Sequence, residues 1–344
     1  MKILIDIGHP AHVHLFKHIA RQLQADGHQV WWVCRQMPII QRLLEAEGFP
    51  YTVVGRKHTT LIGKALSVLH QTVWTIRFAR RQQIDIGLSS GIVQALASRC
   101  SGMKAVIMDD DDDCVEPWIS RIGHPLCHTV LTPSAIHRRS SHARYYNGTH
   151  ELAYLHPNRF QPDSSRLQPY GLQPGDRYFV VRFVAFHGHH DIHETGLTVA
   201  QKEQLVRWLS LHGRVVISSE APLSSIFESY RLPVPPEEMH HLLGGATLLV
   251  GDSQTMCSEA GLLGVPALKC NTFAGRLSVP NLMEQRYRLC YSYTPDQFDA
   301  LMQQLEQLLN NPHLHEEWRL KQRRMLEETV DVTDFVTDYL EQLA

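Results

Sequence analysis

The chain has 344 residues, which at about 150 residues per domain indicates two domains. Its 33 Lys and Arg residues and 35 Asp and Glu residues leave a net charge of −2, so no global basic field is present to attract nucleic acid. Hydrophobic residues make up 43% and charged residues 20%, a balance typical of a globular chain and not of a disordered one.

Cysteine usage and the N-terminal segment bear on the cellular compartment. Seven cysteines are scattered without a C-x-x-C pair, which argues against a disulfide framework and against a cysteine-based zinc site. Asp6 falls where a signal peptide would need its apolar segment, and no apolar run approaches the roughly 18 residues that span a membrane. We therefore expect a cytoplasmic protein.

The first half of the chain alternates predicted strands and helices. Residues 11–26 carry apolar residues at helical spacing from Val13 to Leu23, and Gly27 ends the pattern. Further helices are predicted over residues 38–47, over 61–82 and in a segment ending at 101. Strands are predicted over residues 2–8, 28–35, 51–55, 84–90, 104–109 and 129–133. Repeated strand–helix–strand units of this kind predict a parallel sheet.

Residues 158–175 are rich in Pro, Gly, Gln and Ser and form the predicted linker between domains. Beyond it the alternation restarts. Strands are predicted over residues 178–184, 214–218, 247–251 and 266–270. Helices are predicted over 198–211, 236–243, 254–263, 295–309, 314–329 and 333–343.

These patterns predict an α/β protein with an N-terminal domain at 1–165 and a C-terminal domain at 166–325. A C-terminal helix at 326–344 is expected to pack back on the N-terminal domain. Both domains are expected to be Rossmann-like doubly wound parallel sheets that face a cleft. Ligands of such sheets bind at the carboxyl ends of the strands.

The most informative segment for binding is residues 249–271, where a strand turns into a helix at Ser253. The free N–H groups and the dipole at a helix start favour an anion by roughly 0.3–1 kcal/mol. Ser253 and Thr255 add hydroxyl donors, and Glu259 follows about one turn later, where a carboxylate could accept from two sugar hydroxyls. By spacing alone, an N-capped helix with a surface glutamate is the commoner meaning of this pattern.

Within that segment, SEAGLLGVPAL at 258–268 resembles the nucleotide-sugar segment of GT-B glycosyltransferases of the MurG type. A similar segment occurs in the non-hydrolysing UDP-N-acetylglucosamine 2-epimerases. The resemblance implies that Glu259 holds the uridine ribose, and that Ser253, Gln254 and Thr255 hold the pyrophosphate.

The N-terminal turn GHPAHV at 8–13 resembles the first loop of the MurG-like enzymes, with Gly8 in the turn and His12 at the position of their histidine. A neutral imidazole there could take the proton of an acceptor hydroxyl, which is worth about 10²–10⁴-fold in rate. His9 and His14 compete for this role. A histidine that merely caps its own helical turn is an equally good interpretation.

Over nearly its whole length the chain resembles the prokaryotic domain-of-unknown-function 354 family, which is grouped with the GT-B and epimerase folds. The matching motifs are PAHVH at 10–14, Asp109-Asp110, YNG at 146–148 with ELAYLHP at 151–157, Val181-Arg182-Phe183 and His190-Asp191. We accordingly place Arg182 among the donor-binding residues.

The segment FHGHHDIHE at 186–194 comes close to the H-x-H-x-D-H zinc motif of metallo-hydrolases. The last ligand is missing, because position 192 is Ile and the next histidine is His193. Zinc would also need further ligands from later loops. We prefer a loop in which His190 and Asp191 take part in catalysis and no metal is bound, and leave zinc as the alternative.

Five aspartates at 109–113 follow a predicted strand, so Asp109 or Asp110 is expected at the sheet edge, with Asp109 as a catalytic candidate. Five adjacent carboxylates cannot all be buried in ionised form, so residues 111–113 are expected to be a solvated turn. A D-x-D metal site is disfavoured because the resemblance is to GT-B enzymes, which generally need no catalytic metal.

The predicted helix 61–82 lies in a stretch without acidic residues between Glu47 and Asp85. Its apolar residues, with Leu66, Leu69, Val73, Trp74 and Phe78 on one expected face, precede a basic end. Such a helix can rest on anionic lipid headgroups. More often, a helix of this kind simply covers a sheet.

Together these features predict a GT-B glycosyltransferase that uses a UDP-sugar as donor substrate and needs no cofactor. A lipid-linked acceptor, peripheral contact with the inner face of the membrane and a role in cell-surface polysaccharide or glycolipid synthesis are expected. A UDP-N-acetylglucosamine 2-epimerase is the alternative. Against it, Ser89-Ser90-Gly91 lacks the epimerase Asp, SQT at 253–255 replaces Ser-Gly-Gly, and Ser258 replaces a Glu. A non-catalytic sugar-nucleotide-binding protein is the third hypothesis.

Overall fold

The computed structural model describes residues 1–343 except 57, 59, 139, 185–194 and 220–222. The chain divides into two compact units. The first unit comprises Met1–Arg159 and Val330–Ala344, and the second comprises Phe160–Thr329. The change between them near Arg159 falls inside the predicted linker at 158–175. Each unit contains a parallel sheet with interleaved helices, so the predicted α/β architecture of two Rossmann-like domains is confirmed.

The first unit has a seven-stranded sheet in the order β3-β2-β1-β4-β5-β6-β7, parallel throughout. Its strands are β1 (Lys2–Ile7), β2 (Gln29–Gln36), β3 (Tyr51–Arg56), β4 (Ile86–Ser89), β5 (Lys104–Met108), β6 (Thr129–Pro133) and β7 (Ala143–Tyr146). The strand order reverses between β1 and β4. Open parallel sheets bind ligands at the carboxyl ends of the strands beside such a switch point.

The helices of the first unit begin with α1, whose start is fixed by local chemistry. The His9 side chain accepts from the Ala11 N–H as the N-cap, and Pro10 occupies the first helical position. α1 therefore begins one residue earlier than predicted. The helices are α1 (Pro10–Ala25), α2 (Pro38–Ala46), α3 (Leu61–Gln82), α4 (Ile92–Ser101), α5 (His124–Leu126) and α6 (Leu152–Leu155).

The second unit has a five-stranded sheet in the order β12-β11-β10-β8-β9, which is the flavodoxin-like order with its switch point between β8 and β10. Its strands are β8 (Tyr178–Phe183), β9 (Arg214–Ser219), β10 (Leu248–Gly251), β11 (Ala267–Cys270) and β12 (Cys290–Tyr293). Its helices are α7 (Val199–Ser210), α8 (Ser225–Glu228), α9 (Met239–Gly244), α10 (Gln254–Leu262), α11 (Ser278–Asn281), α12 (Phe298–Leu309) and α13 (Leu314–Glu328).

The last helix, α14 (Val332–Gln342), belongs to the first unit. Its N-cap Asp331 accepts from the N–H groups of Thr333 and Asp334 and pairs with the Arg159 guanidinium at 2.8 Å. Thr333 also donates from its hydroxyl to the carbonyl of Ala153 at 2.7 Å. These contacts fasten the end of the chain to the unit that contains its beginning.

Several features differ from the sequence prediction, including four short helices that it did not contain: α5, α6, α8 and α11. Strands β7 and β12 were not predicted, because both are short edge strands of four residues that lack a sustained apolar pattern. On α3, Trp74 and Phe78 do not share a face with the exposed aliphatic residues, but pack against a core cluster that includes Leu4 and Val33.

Among the described residues, no helix is both long and apolar enough to span a bilayer.

Gly251 at the end of β10 permits the close strand pairing at the second switch point. A Cβ at this position would lie 2.1 Å from the carbonyl oxygen of Arg182 on β8, and a backbone atom cannot rotate away. Gly91, which precedes α4 in the first unit, has no atom within 4 Å of the corresponding position.

We therefore expect Gly251→Ala to lower the free energy of unfolding by about 3 kcal/mol, because overpacking against backbone forces the two strands apart. Gly91→Ala, the matched control, replaces the N-cap glycine of α4 without any overpacking and should lower it by about 1 kcal/mol or less. Urea unfolding of the two variants beside the wild type measures both values. Equal stabilities would contradict the tight packing of β8 against β10.

Candidate functional site

The second switch point contains the residues predicted to bind the donor. The chain leaves β10 through Asp252 and enters α10 with Ser253 as the N-cap. The Ser253 hydroxyl oxygen accepts from the Met256 N–H at 3.4 Å, which is the capping contact that the residue type predicts. The first N–H groups of α10, at Gln254 and Thr255, have no acceptor within the helix and can bind an anion.

Ser253 and Gln254 are half-buried at this helix start, and Thr255 is exposed. The Gln254 side-chain oxygen accepts from the Nζ of Lys269 on β11 at 2.7 Å. Arg182, at the end of β8, donates from Nη1 to the Ser218 hydroxyl at 2.8 Å. These four of the five predicted donor-binding residues of this unit thus lie at or directly after the carboxyl ends of neighbouring strands.

Glu259 is buried, with 6% of its surface exposed, so the alternative of a surface glutamate on an N-capped helix is wrong. Its Oε1 lies 3.0 Å from Nε2 of His240 on α9. The His240 ring in turn packs edge-on against Phe160 at 5.8 Å between centroids. A buried carboxylate fixed in this way can accept from a pair of hydroxyl groups in one defined orientation.

Asp252 is a second buried carboxylate at this edge, and sequence reasoning gave it no role. Its Oδ1 accepts from the Val184 N–H at 2.6 Å, while Oδ2 lies 3.7 Å from Nζ of Lys202. Burial raises the pKa of Asp252 to about 6, and the Lys202 charge only partly offsets that effect. The backbone carbonyl of Asp252 accepts from the Asn271 side chain at 3.0 Å.

At the first switch point, the predicted base His12 lies on the first turn of α1, directly after the turn containing Gly8. Its ring is 5.9 Å from that of His9 and 6.3 Å from that of Phe16. Burial, together with the neighbouring His9 and His150, lowers the pKa of His12 to about 3. The imidazole is therefore neutral at physiological pH, the form that can accept a proton.

His9 is the exposed N-cap of α1, so the capping role considered for a histidine in this turn belongs to His9. The His14 ring packs against that of Tyr154 at 5.7 Å between centroids. Burial keeps the His12 imidazole uncharged. His12 remains our candidate for the base.

His150 and Asp110 form a buried ion pair near His12, with 3.0 Å between Nδ1 and Oδ1. Burial opposes a charge on His150, but the Asp110 carboxylate raises the pKa of His150 above its ordinary value. Burial likewise opposes ionisation of Asp110, and His150 lowers the pKa of that carboxyl. The Asp110–His150 pair thus lies beside the His12 imidazole. Sequence reasoning gave His150 no role, although it lies between the matching motifs YNG at 146–148 and ELAYLHP at 151–157.

Asp109, predicted as catalytic, is 5% exposed and lies in a buried cluster. Its Oδ2 is 2.8 Å from Nε2 of His124, and its Oδ1 is 3.2 Å from Nη2 of Arg138. Arg138 also pairs with Asp113 at 2.9 Å. Asp113 is therefore not a solvated turn residue as predicted, because a buried guanidinium requires a counter-charge.

The carboxylates of Asp109, Asp110 and Asp111 lie close enough to share an ion, with oxygens within 4.8 Å of one another. Protein cations already neutralise the first two, namely Arg138 at Asp109 and His150 at Asp110. Acidic clusters are common without a metal. The predicted pair His190 and Asp191, with the zinc-like motif around it, lies outside the described residues.

The fold class follows from similarity to solved structures. The chain is similar to MnaA of S. aureus solved with UDP, at 12% identity and a TM-score of 0.69, over 100% of this chain and 97% of that one. It is also similar to UDP-GlcNAc 2-epimerase from Neisseria meningitidis bound to UDP-GlcNAc, at 12% identity and a TM-score of 0.67, over 99% and 100%. For Acinetobacter baumannii MurG, identity is 15%, the TM-score 0.62 and coverage 99% of each chain.

At these identities the likeness shows the fold alone, and that fold is the GT-B type shared by glycosyltransferases and UDP-GlcNAc 2-epimerases. No curated protein matches the sequence. The family described as "Protein of unknown function (DUF354)" matches residues 1–341, and the chain belongs to this family. The sequence-based assignment to the family is confirmed.

The raised pKa of Asp252 predicts a pH-dependent stability. Because the folded-state pKa of about 6 exceeds the unfolded value, the folded protein holds the extra proton between the two values. As the pH rises towards 6, ionisation of Asp252 therefore lowers the free energy of unfolding, and this loss persists above pH 6. At pH 8, Asp252→Asn should raise the free energy of unfolding by at most roughly 3 kcal/mol, and the melting temperature should rise with it. Near pH 4 both quantities should be nearly unchanged.

Thermal unfolding of the wild type and the Asp252→Asn variant across pH 4–8 measures this difference. The Asn side chain retains an oxygen that can accept from the Val184 N–H, so the hydrogen bond itself is preserved. If the two proteins differ in stability by the same amount at every pH, burial does not raise the pKa of the Asp252 carboxyl.

Proposed function

We propose that the protein is a glycosyltransferase that uses a UDP-activated sugar. The proposal depends chiefly on Glu259, a buried carboxylate fixed by His240 one turn beyond the exposed N–H groups of α10. This arrangement suits a ribose and an adjoining diphosphate. In the reaction, the N–H groups at the start of α10, with Ser253 and Thr255, hold the diphosphate, and Glu259 accepts from the ribose hydroxyls.

His12 is the proposed base on the acceptor side. It takes the proton of an acceptor hydroxyl while that oxygen forms a bond to the anomeric carbon of the sugar. The bond from the anomeric carbon to the diphosphate oxygen breaks, and its electron pair leaves with UDP. The dipole of α10 stabilises the charge that develops on the leaving diphosphate. The position of His12 on the first turn of α1, directly after the carboxyl end of β1, supports this role.

An epimerase of the UDP-N-acetylglucosamine 2-epimerase type is the second candidate, and the carboxylates of the first unit favour it. Asp110 and the buried Glu151 lie with His150 near the edge of that sheet. Elimination and re-addition of UDP needs such acid–base groups, because a proton must leave and return on carbon. A protein that binds a sugar nucleotide without turning it over is the third candidate.

UDP binding tests the donor site. We expect UDP to raise the melting temperature of the wild type. Glu259→Gln should weaken UDP binding roughly tenfold or more, because it removes the charge that accepts from the ribose hydroxyls. Glu47→Ala is the matched control: it breaks the ion pair of Glu47 with Lys17 in the first unit, so it should lower stability and leave UDP affinity unchanged.

The same purified protein, incubated with UDP-GlcNAc alone, separates the candidates. Appearance of UDP-ManNAc without an acceptor would identify an epimerase. UDP binding without turnover, even with sugar acceptors supplied, would leave a binding protein. Absence of a thermal shift with UDP and other nucleotides would count against all three candidates.

On the acceptor side we propose contact with an anionic lipid surface, supported by the outer face of α3. This helix buries Gln71, Thr75 and Ala79. Its opposite face exposes four large aliphatic side chains, spaced three or four residues apart on one stripe and between 36% and 75% exposed: Ile62, Leu66, Leu69 and Val73. A helix of a globular protein ordinarily buries such residues and exposes polar ones.

The charge around this stripe favours a lipid as its occupant. Exposed Arg77 and Arg80 continue the stripe along α3, and the sequence contains no acidic residue between Glu47 and Asp85. Leu66 also lines a cavity of about 580 Å³ together with Arg56, His58 and His70. A second copy of the chain would bring like charges together, whereas anionic headgroups complement them.

The corresponding location is the inner face of the membrane. An acceptor carried by a lipid there would fit a role in cell-surface polysaccharide or glycolipid synthesis.

Vesicle co-sedimentation tests the lipid contact. We expect the wild type to sediment with vesicles containing phosphatidylglycerol but not with vesicles of phosphatidylcholine alone. The double variant Leu66→Ser and Leu69→Ser should lose most of this binding, because the buried apolar area supplies it. Leu320→Ser, which changes a similarly exposed leucine on α13 in the second unit, is the control and should bind normally. Equal sedimentation of all variants would contradict the assignment to α3.

A further inference from the structure

Lys269 is a buried lysine in the middle of the second sheet. It lies on β11, and only 1% of its surface is exposed. Burial of an ammonium group is costly unless an opposite charge compensates it, so buried lysines in folded proteins are ordinarily paired. The partner of Lys269 therefore requires an explanation.

Lys269 has no anionic partner within ion-pair distance in the described part of the chain. Its Nζ donates to the side-chain oxygen of Gln254 at 2.7 Å, and no carboxylate oxygen of a described residue lies within 4.0 Å. Burial lowers the pKa of Lys269, and the groups whose charges act against that effect are Cys257, Cys290 and Glu284. Among the described residues, the hydrogen-bond acceptor of this ammonium is thus a neutral amide and not a carboxylate.

Lys17 shows the ordinary arrangement in the same chain. This lysine is also buried, on α1 of the first unit, with 9% of its surface exposed. Its Nζ lies 2.8 Å from the carboxylate of Glu47, so the charge is paired. The same chain thus pairs one buried lysine with a carboxylate, and the arrangement of Lys269 departs from that pattern.

The contact of Lys269 with Gln254 also fixes the orientation of an amide. A lysine ammonium has only donors, so the Gln254 side chain must turn its oxygen towards Lys269. The two hydrogens on Nε2 of Gln254 then point away from the ammonium. Gln254 is the first residue of α10, beside the backbone N–H groups that the proposed function assigns to the diphosphate.

We propose that Lys269 is the counter-charge of the diphosphate and acts through Gln254, which donates to the diphosphate from Nε2. Lys269 is a positioning residue, because it polarises and orients the amide without touching the ligand. The inference rests on the proposed UDP site. It gives that site a reason to prefer a diphosphate, because the bound anion compensates the Lys269 charge, for which the described residues supply no carboxylate partner.

Lys269→Met tests this, because Met retains the length of the side chain and removes the charge. If Lys269 serves the ligand, the variant should melt at the same or a higher temperature than the wild type. Its dissociation constant for UDP should rise by about tenfold or more, while binding of uridine stays unchanged. Isothermal titration calorimetry with UDP, uridine and pyrophosphate measures the affinities.

Lys17→Met is the matched control. The same substitution there leaves Glu47 without its buried partner, so the melting temperature should fall and UDP affinity should stay at the wild-type value. A Lys269→Met variant that is destabilised like Lys17→Met and binds UDP as the wild type does would overturn the proposal and make Lys269 a structural residue.

Gln254→Glu covers the case in which Lys269→Met does not fold. A carboxylate at 254 can pair with Lys269 and preserve the packing, but it neutralises the charge and repels a diphosphate. UDP and pyrophosphate binding should therefore fall by about tenfold or more with uridine binding unchanged, and unaltered binding would overturn the proposal.

The wild type separates this inference from the proposed function. Binding of pyrophosphate without binding of UDP would reject the UDP site but retain the anion role of Lys269. Binding of UDP that neither variant weakens would retain the proposed function and reject the role of Lys269. If the wild type binds neither ligand, both proposals fail.

Discussion

In a parallel sheet, the strands that flank a reversal of strand order send their following helices to opposite faces, which leaves the ends of those strands uncovered. Both units of this protein place their reactive side chains at such a point. In the first unit the β1 end leads to His12, and in the second the β10 end leads to Asp252 and α10. The close pairing at Gly251 is part of the same constraint, because it allows β10 to end beside β8.

The two sites differ in how they compensate buried charge. In the first unit the carboxylates that follow β5 have protein partners: Asp109 pairs with His124 and Arg138, and Asp110 pairs with His150. Such networks hold their members in one arrangement. In the second unit burial raises the pKa of Asp252, and within the described part of the unit Lys269 donates to a side-chain amide and not to a carboxylate. A site whose charges are incompletely paired is the one that gains most when an ionic ligand binds.

Local patterns along the chain predicted much of this site. The capping serine before an apolar helix predicted the start of α10, and the alternation of strands and helices predicted both sheets. The predictions were weakest where local pattern carries little information. Edge strands such as Ala143–Tyr146 bury little and show no period, and Trp74 was assigned to the wrong face of α3 because helical spacing does not say which apolar stripe meets the sheet.

The sequence by itself determined the fold class, the family and the position of the helix start at Ser253, because these depend on residues that are neighbours along the chain. Only the tertiary structure decided that Glu259 meets His240 and that the Lys269 ammonium donates to Gln254. The partners in those contacts come from separate helices and strands. Crossover connections between parallel strands bring such residues to one sheet edge. The spacing of residues along the chain does not show which strands will be neighbours or in which register they will pair.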